Sequence, residues 1–327
     1  MAVYNRVFSN EKWEKVNSYN KNLLKDYILQ IKSEGKSDGS IKQYNNDARI
    51  VLIYILEELD NKPLYKLNRK SFRNFVLWMQ DSGLSPARIN RMLSTCRNLL
   101  NFGLDDDEYV DEFETCKANP ARIKGVQKEK RREIVFLSHE QVCIIYNKLM
   151  EEEKYCQALL CALMYESACR RKEAYQVKRS DISLDSKMCK RQVRGKRGKL
   201  YKPIYNEMTL NAFKKLEEKR INDDSDALWI TQTGDAASYE TLYAWVISWR
   251  EILKDETGVS LNFNPHSWRH SAATNLKNGT HHYCLKSGGK KFELAQIQKL
   301  MNHSDISTTQ SYLEDKTEEE ILEAFGV

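Results

Sequence analysis

Between Ser9 and Ile31, apolar residues recur at helical spacing (Trp13, Val16, Tyr19, Leu23, Leu24, Tyr27, Ile28, Ile31), which predicts one long amphipathic helix. Lys36 to Gly39 interrupt it, and further helices are predicted from about Ser40 to Leu59, Ser71 to Asp81 and Pro86 to Phe102, each closed by Gly, Asn or Pro signals. The first hundred residues therefore predict a four-helix unit. Asp105 to Glu114 is crowded with carboxylates around Tyr109, Val110 and Phe113, the pattern of a short helix with a solvated acidic face. The charge then reverses through Lys117, Arg122, Lys124, Lys128, Lys130, Arg131 and Arg132, and with Pro120 and Gly125 among them this stretch predicts an extended basic linker.

A second unit begins near Phe136, where Ser138 and Gln141 have the spacing of a capping box ahead of Val142, Ile145, Tyr146 and Leu149. The run Ala158 to Tyr165 is apolar on all sides and predicts a buried helix. Lys187 to Lys202, rich in basic residues and without an acid, fits a β-hairpin turning at Gly195 to Gly198. Helices return at Thr209 to Ile221 and Tyr239 to Leu253. The fold class is mainly α with a small antiparallel β-sheet. Its expected parts are a helical domain over 1–115, a basic linker over 116–133 and a second, mixed domain over 134–327.

Composition adds limits. With 327 residues and 41% hydrophobic content, the chain has material for two cores. No stretch approaches the roughly 18–20 consecutive apolar residues of a membrane span, so a cytoplasmic protein without membrane contact is expected. The eight cysteines are scattered without a C-x-x-C pair, which favours buried thiols over disulfides or zinc ligands. The net charge of +6 is modest, but the basic linker is well suited to lie along a DNA backbone.

Three clusters carry candidate chemistry. Ser167-Ala168-Cys169-Arg170-Arg171-Lys172-Glu173 sets an arginine three residues before a glutamate; with Ser167 and Ala168 as a helix start, the pair shares one face. Taken alone, that spacing is commonly a surface ion pair. Pro265-His266-Ser267-Trp268-Arg269 opens a helix on which His266 and Arg269 stand one turn apart, with Ala272 and Ala273 permitting close packing. In the third cluster Asn302 suits the left-handed residue that ends a helix, His303 follows, and Ser307 with Gln310 can cap a helix bearing Tyr312. His281-His282-Tyr283-Cys284 is too crowded for a metal site and is expected in a loop.

In this order the clusters resemble the tyrosine site-specific recombinases, the phage-integrase and Xer-type family. Leu300 to Tyr312 is similar to that family's L-G-H-x-x-x-x-T-x-x-Y box, His266 to Thr274 to its H-x-L-R-H-x-x-A-T box, and Ser167 to Glu173 to its arginine box. Ser40 to Asp47 and Leu84 to Arg91 resemble its core-binding domain. The resemblance implies a C-shaped clamp on DNA in which Tyr312 attacks a phosphodiester to form a 3′-phosphotyrosine. Arg170 and Arg269 would grip the nonbridging oxygens, His266 and His303 would bind the same phosphate, and His266 would accept the phenol proton. Glu173 supports Arg170. A hairpin lysine would protonate the 5′-oxygen; Gly195-Lys196 aligns with the family's G-K-G turn, and Lys199 is the second choice. DNA contacts are expected from Lys42, Arg88, Arg91, Lys124, Lys128, Arg131, Arg132, Arg197 and Lys199.

The implied activity is metal- and ATP-independent cleavage and rejoining of double-stranded DNA, without a cofactor. It runs through a Holliday junction held by a homotetramer and serves integration or excision of a mobile element. Accessory DNA-bending or directionality proteins are possible partners. A type IB-like topoisomerase and a catalytically silent architectural protein are the alternatives. Asn302 stands where the family has glycine, Trp268 where it has leucine, and Arg269 and His303 are further apart than in compact members. The extra segment, Gly279 to Lys291, is read as a lid, a DNA contact, a protomer contact or an inert loop. The tail Glu318 to Phe325 has the pattern of a short amphipathic helix, expected to dock on its own chain or on a neighbouring protomer. With only a short run before the first helix, no additional arm-binding domain is expected.

Overall fold

The computed structural model describes residues 6–127, 135–220 and 225–302, with the Arg197 side chain left out. His303, Tyr312, Lys128, Arg131, Arg132 and the tail from Glu318 to Phe325 lie outside the described residues. The chain forms two compact units, Met1–Arg131 and Arg132–Val327. The fold is mainly α-helical with one two-stranded antiparallel sheet among the described residues.

In the first unit the helix expected over 9–31 is two helices, α1 (Asn10–Lys15) and α2 (Ser18–Ser33). The break is tertiary in origin. Asn17 caps α2 by accepting from the Asn20 amide at 2.8 Å, while its own amide and side chain bond Asn61 at 3.0 and 2.7 Å. Helices α3 (Asp38–Glu58), α4 (Arg69–Asp81), α5 (Pro86–Asp105) and α6 (Val110–Glu114) follow. In α3 every residue from Ile50 to Ile55 is buried, which makes it the central helix. Gly103 interrupts the good helix formers of α5 because the Phe113 ring lies flat on that spot, 2.6 Å from where a Cβ would stand.

The stretch expected as an extended basic linker is attached to this unit as far as Val126. Ile123 is buried, its carbonyl accepts from Arg97 Nη1 at 2.9 Å, and Asn90 bonds both backbone groups of Val126. The helical unit thus extends past residue 115, because apolar residues are interspersed among the basic ones.

The second unit is built around α8 (Tyr155–Ser167), whose residues from Ala158 to Ser167 are all buried. Packed on it are α7 (His139–Glu151), α10 (Glu207–Lys219) and α12 (Pro265–Asn278). The Ser138/Gln141 capping box that opens α7 is formed. The one-turn helix α9 (Arg171–Ala174) leads towards β1 (Val193–Arg194) and β2 (Leu200–Tyr201), which pair Val193 with Tyr201 and Arg194 with Leu200. Helices α11 (Tyr239–Thr257), α13 (His282–Lys286) and α14 (Leu294–Leu300) complete the unit. Trp268, the unusual residue of α12, is fully buried against Trp249 and Phe263, and its indole donates to the Cys161 carbonyl at 3.0 Å. Among the described residues no helix is long and apolar enough to cross a membrane.

Candidate active site

The arginine box begins where α8 ends. Ser167 and Ala168 close that helix instead of opening one: the Ser167 hydroxyl bonds the Leu163 carbonyl, and Ala168 takes a left-handed conformation at φ 49°. Arg170 is then the extended N-cap of α9, and Glu173 reaches back to it. One carboxylate oxygen accepts from the Arg170 amide at 2.6 Å, and the other accepts from Arg170 Nη1 at 2.9 Å. Because the Glu173 side chain is only 2% exposed, this is a buried charge with dedicated donors and not the surface pair that its spacing implies.

Helix α12 supplies the second arginine. Asn264 caps it through the His266 amide, Pro265 occupies its first position, and Ala272 and Ala273 are buried behind the site. His266 lies at the surface, and Arg269, one turn on, is completely buried. The Arg269 guanidinium donates to the Ala168 carbonyl at 2.5 Å and to the Met301 carbonyl, and stands 3.8 Å from Glu173. These bonds tie the turn before Arg170 to the end of α14. Protein packed around the His266 ring, followed by the positive charge of His270, Arg269, Arg170 and Lys196, pushes its pKa down to about 4. The imidazole is neutral at physiological pH.

Lys196 and Arg197 lie on a 3-10 turn between the strands, closed by the Gly195 amide on the Lys199 carbonyl at 2.7 Å. Lys196 and Lys199 are exposed. Gly195 sits in a tight space: a Cβ there would lie 3.1 Å from Glu173 Oε1 and 3.3 Å from the Lys199 carbonyl, with the Asn302 side chain in ordinary contact at 3.5 Å. Asn302 has the left-handed conformation expected of it, at φ 51°. Arg170, Glu173, Lys196, His266 and Arg269 therefore come together from three separated stretches of the chain.

Three features escaped the sequence reading. Tyr201 donates its hydroxyl to Glu173 at 2.7 Å, a contact between elements that periodicity cannot reveal. Glu166 is buried and accepts from the amides of Asn206, Met208 and Thr209, holding the first turn of α10. The segment from His281 to Cys284 is not a solvent loop: His281 and Cys284 are buried, and the His281 ring stacks on Tyr165 with centroids 4.2 Å apart. His282 Nε2 lies 2.9 Å from Glu166. The aromatic surface of Tyr165 and His139 draws these rings inward. Among the described residues no group of His, Cys, Asp or Glu is arranged to hold a metal ion.

In the first unit Arg88 and Arg91, both expected at DNA, share one partner. Both guanidinium groups pair with Asp47, at 2.6 and 3.0 Å, and Asp47 is buried, so they neutralise a core carboxylate. Burial nevertheless raises the Asp47 pKa, with Arg88 opposing the shift. Lys42 is exposed on α3. Lys124 joins Arg69, Arg73 and Arg122 around a hollow of about 210 Å³ against Phe72 and Val76, a basic cluster of which the sequence reading had only one half.

Comparison with known proteins places this architecture. The sequence model of the phage integrase family matches residues 135–319, and that of the phage integrase N-terminal SAM-like domain matches 24–105. The tyrosine recombinase XerD of Oceanobacillus iheyensis is 24% identical over 298 residues, covering 88% of this chain and 92% of the relative. The Tn1549 transposon integrase, solved with transposon right end DNA, superposes with a TM-score of 0.65 at 16% identity, over 93% of this chain and 99% of that one. A lambda integrase tetramer bound to a Holliday junction gives 0.60 at 15% identity, over 90% and 77% of the two chains. The chain belongs to the phage integrase family, the tyrosine site-specific recombinases that cleave and rejoin DNA.

Proposed function

We propose that this recombinase uses Tyr312 as its nucleophile, with Arg170, Arg269, His266 and His303 around the scissile phosphate and Lys196 as the acid. The Tyr312 oxygen attacks phosphorus while neutral His266 accepts the phenol proton. The bond to the 5′-oxygen breaks, and the Lys196 ammonium supplies the proton that makes it a hydroxyl. The 3′-phosphotyrosine retains the energy of the phosphodiester, so a 5′-hydroxyl from another strand can reverse the step without ATP.

The observation that carries this reading is the buried Arg269 guanidinium, bonded to Ala168 and Met301 beside the Glu173 carboxylate that holds Arg170. It joins the arginine box, the histidine-arginine helix and the end of α14 at one point. Phosphate binding is proposed to exchange a carbonyl partner of Arg269 for a nonbridging oxygen. Losing one such donor costs on the order of 10²–10³ in rate.

The protein is proposed to act as a tetramer on paired duplex sites, through a Holliday junction, in the integration or excision of a mobile element in the cytoplasm. DNA-bending or directionality proteins would bias its direction. The solved lambda tetramer and the transposon integrase complex support this reading. Lys42, Lys124 and the linker residues Lys128, Arg131 and Arg132 are proposed backbone contacts, with Arg197 and Lys199 on the hairpin and Arg69, Arg73 and Arg122 beside Lys124. Tyr312→Phe should keep DNA binding and abolish the denaturant-resistant protein–DNA adduct; an adduct at the wild-type level would refute the nucleophile assignment.

A further inference from the structure

We infer that Tyr201 and Gln176 are positioning residues with separable tasks: Tyr201 orients Arg170 through Glu173, and Gln176 holds the hairpin turn that carries Lys196. This rests on the roles proposed above for Arg170 and Lys196. The two strands contribute only two residue pairs, Val193 with Tyr201 and Arg194 with Leu200. A hairpin that short is not stable alone, so what lies beneath it must set its position.

Two contacts do so. The Gln176 amide, just beyond α9, is bidentate on the edge of β1: its oxygen accepts from the Arg194 amide at 2.9 Å and its nitrogen donates to the Arg194 carbonyl at 3.0 Å. The same nitrogen donates to the Lys172 carbonyl at 2.8 Å, tying the strand to α9 itself. Arg194 is followed by Gly195 and Lys196, so the Gln176 contact sets where the lysine turn starts.

The Tyr201 contact is different in kind. Its hydroxyl donates at 2.7 Å to the Glu173 oxygen that also accepts from the Arg170 amide, and the other Glu173 oxygen takes Arg170 Nη1 at 2.9 Å. Each oxygen of this buried carboxylate is thus assigned, and Tyr201 fixes its rotation. Burial and the Glu173 charge raise the Tyr201 pKa, so the phenol remains a donor across the working pH range. Removing the hydroxyl takes one of the two donors from that oxygen and loosens the Glu173 carboxylate against the Arg170 side chain. Removing the Gln176 amide leaves Glu173 and Arg170 in place and frees the turn.

The test uses full-length Tyr201→Phe and Gln176→Ala in single-turnover cleavage of a normal site and of one carrying a 5′-bridging sulfur, a leaving group that needs no acid. On the normal site both variants should be slower by roughly 10-fold or more, the value of a hydrogen bond to a charged group or of a displaced acid, with DNA affinity unchanged. On the sulfur substrate Gln176→Ala should return to the wild-type rate, while Tyr201→Phe stays slow because arginine assistance is still required. Rescue of both, rescue of neither, or wild-type rates on the normal site would overturn the division of tasks. Lys196→Ala is run alongside: if sulfur fails to rescue it, the general-acid assignment has failed. The positioning claim is then judged by hydrogen exchange, where faster exchange of the Arg194 and Gly195 amides in Gln176→Ala, and not in Tyr201→Phe, sustains it and unchanged exchange refutes it.

Discussion

Replacing Glu173 by glutamine perturbs the site at its densest point. The wild-type carboxylate takes the Arg170 amide, Arg170 Nη1 and the Tyr201 hydroxyl, and lies 3.8 Å from the fully buried Arg269 guanidinium. Glutamine keeps the shape but presents an NH₂ where one of these donors arrives, and it removes the negative charge beside Arg269. Taking one partner from a buried ion pair costs about 3–5 kcal/mol. Because the Arg170 side chain keeps 24% exposure and can turn to water, the lower end, about 3 kcal/mol, is expected. In urea, with a slope of about 2–3 kcal/mol/M, that moves the unfolding midpoint down by roughly 1–1.5 M. Tryptophan fluorescence reports it through Trp229, Trp245, Trp249 and Trp268 of the second unit, whose transition should shift while that of the first unit stays. Strand cleavage, measured below the new midpoint, should fall on the order of 10²-fold. A midpoint within roughly 0.2 M of wild type, with cleavage unchanged, would refute the role of Glu173 as the buried anchor of Arg170 and counter-charge beside Arg269.

Other outcomes follow from the same geometry. In the DNA-free protein the His266 imidazole should remain neutral at pH 5 and titrate near 4, as read by nitrogen chemical shifts; a midpoint near the ordinary value of about 6.5 would contradict the charge environment described. His281 has its pKa lowered well below the ordinary value by burial and by His282, so the unfolded chain takes up this proton first as the medium is acidified. Its contribution is absent above about pH 6.5 and costs stability increasingly below it; His281→Phe should flatten the acid side of the stability profile, and an unaltered profile would count against it. Arg122→Ala and Lys124→Ala should weaken DNA binding evenly across sequences, each lowering the slope of log affinity against log salt by about one unit, whereas an unchanged slope would remove this cluster from the DNA contacts.

The features legible in the sequence are those whose cause lies within a few residues. The Ser138/Gln141 box, Pro265 at the head of α12, the left-handed Asn302 and the all-round apolar run of α8 follow from local hydrogen bonds, fixed dihedrals and periodicity. The family boxes were legible for a related reason, since each is a short string with its own spacing. Tertiary structure decided the pairings between distant residues. Asn17 with Asn61 divides the first helix, and Arg91 with Asp47 ties a candidate DNA contact to a buried carboxylate, both across 44 residues. Tyr201 with Glu173 spans 28 residues and Arg269 with Ala168 spans 101. A buried charge or amide must find a partner wherever the fold supplies one. Which partner it finds depends on the packing of whole helices, a property that no local window of the chain contains.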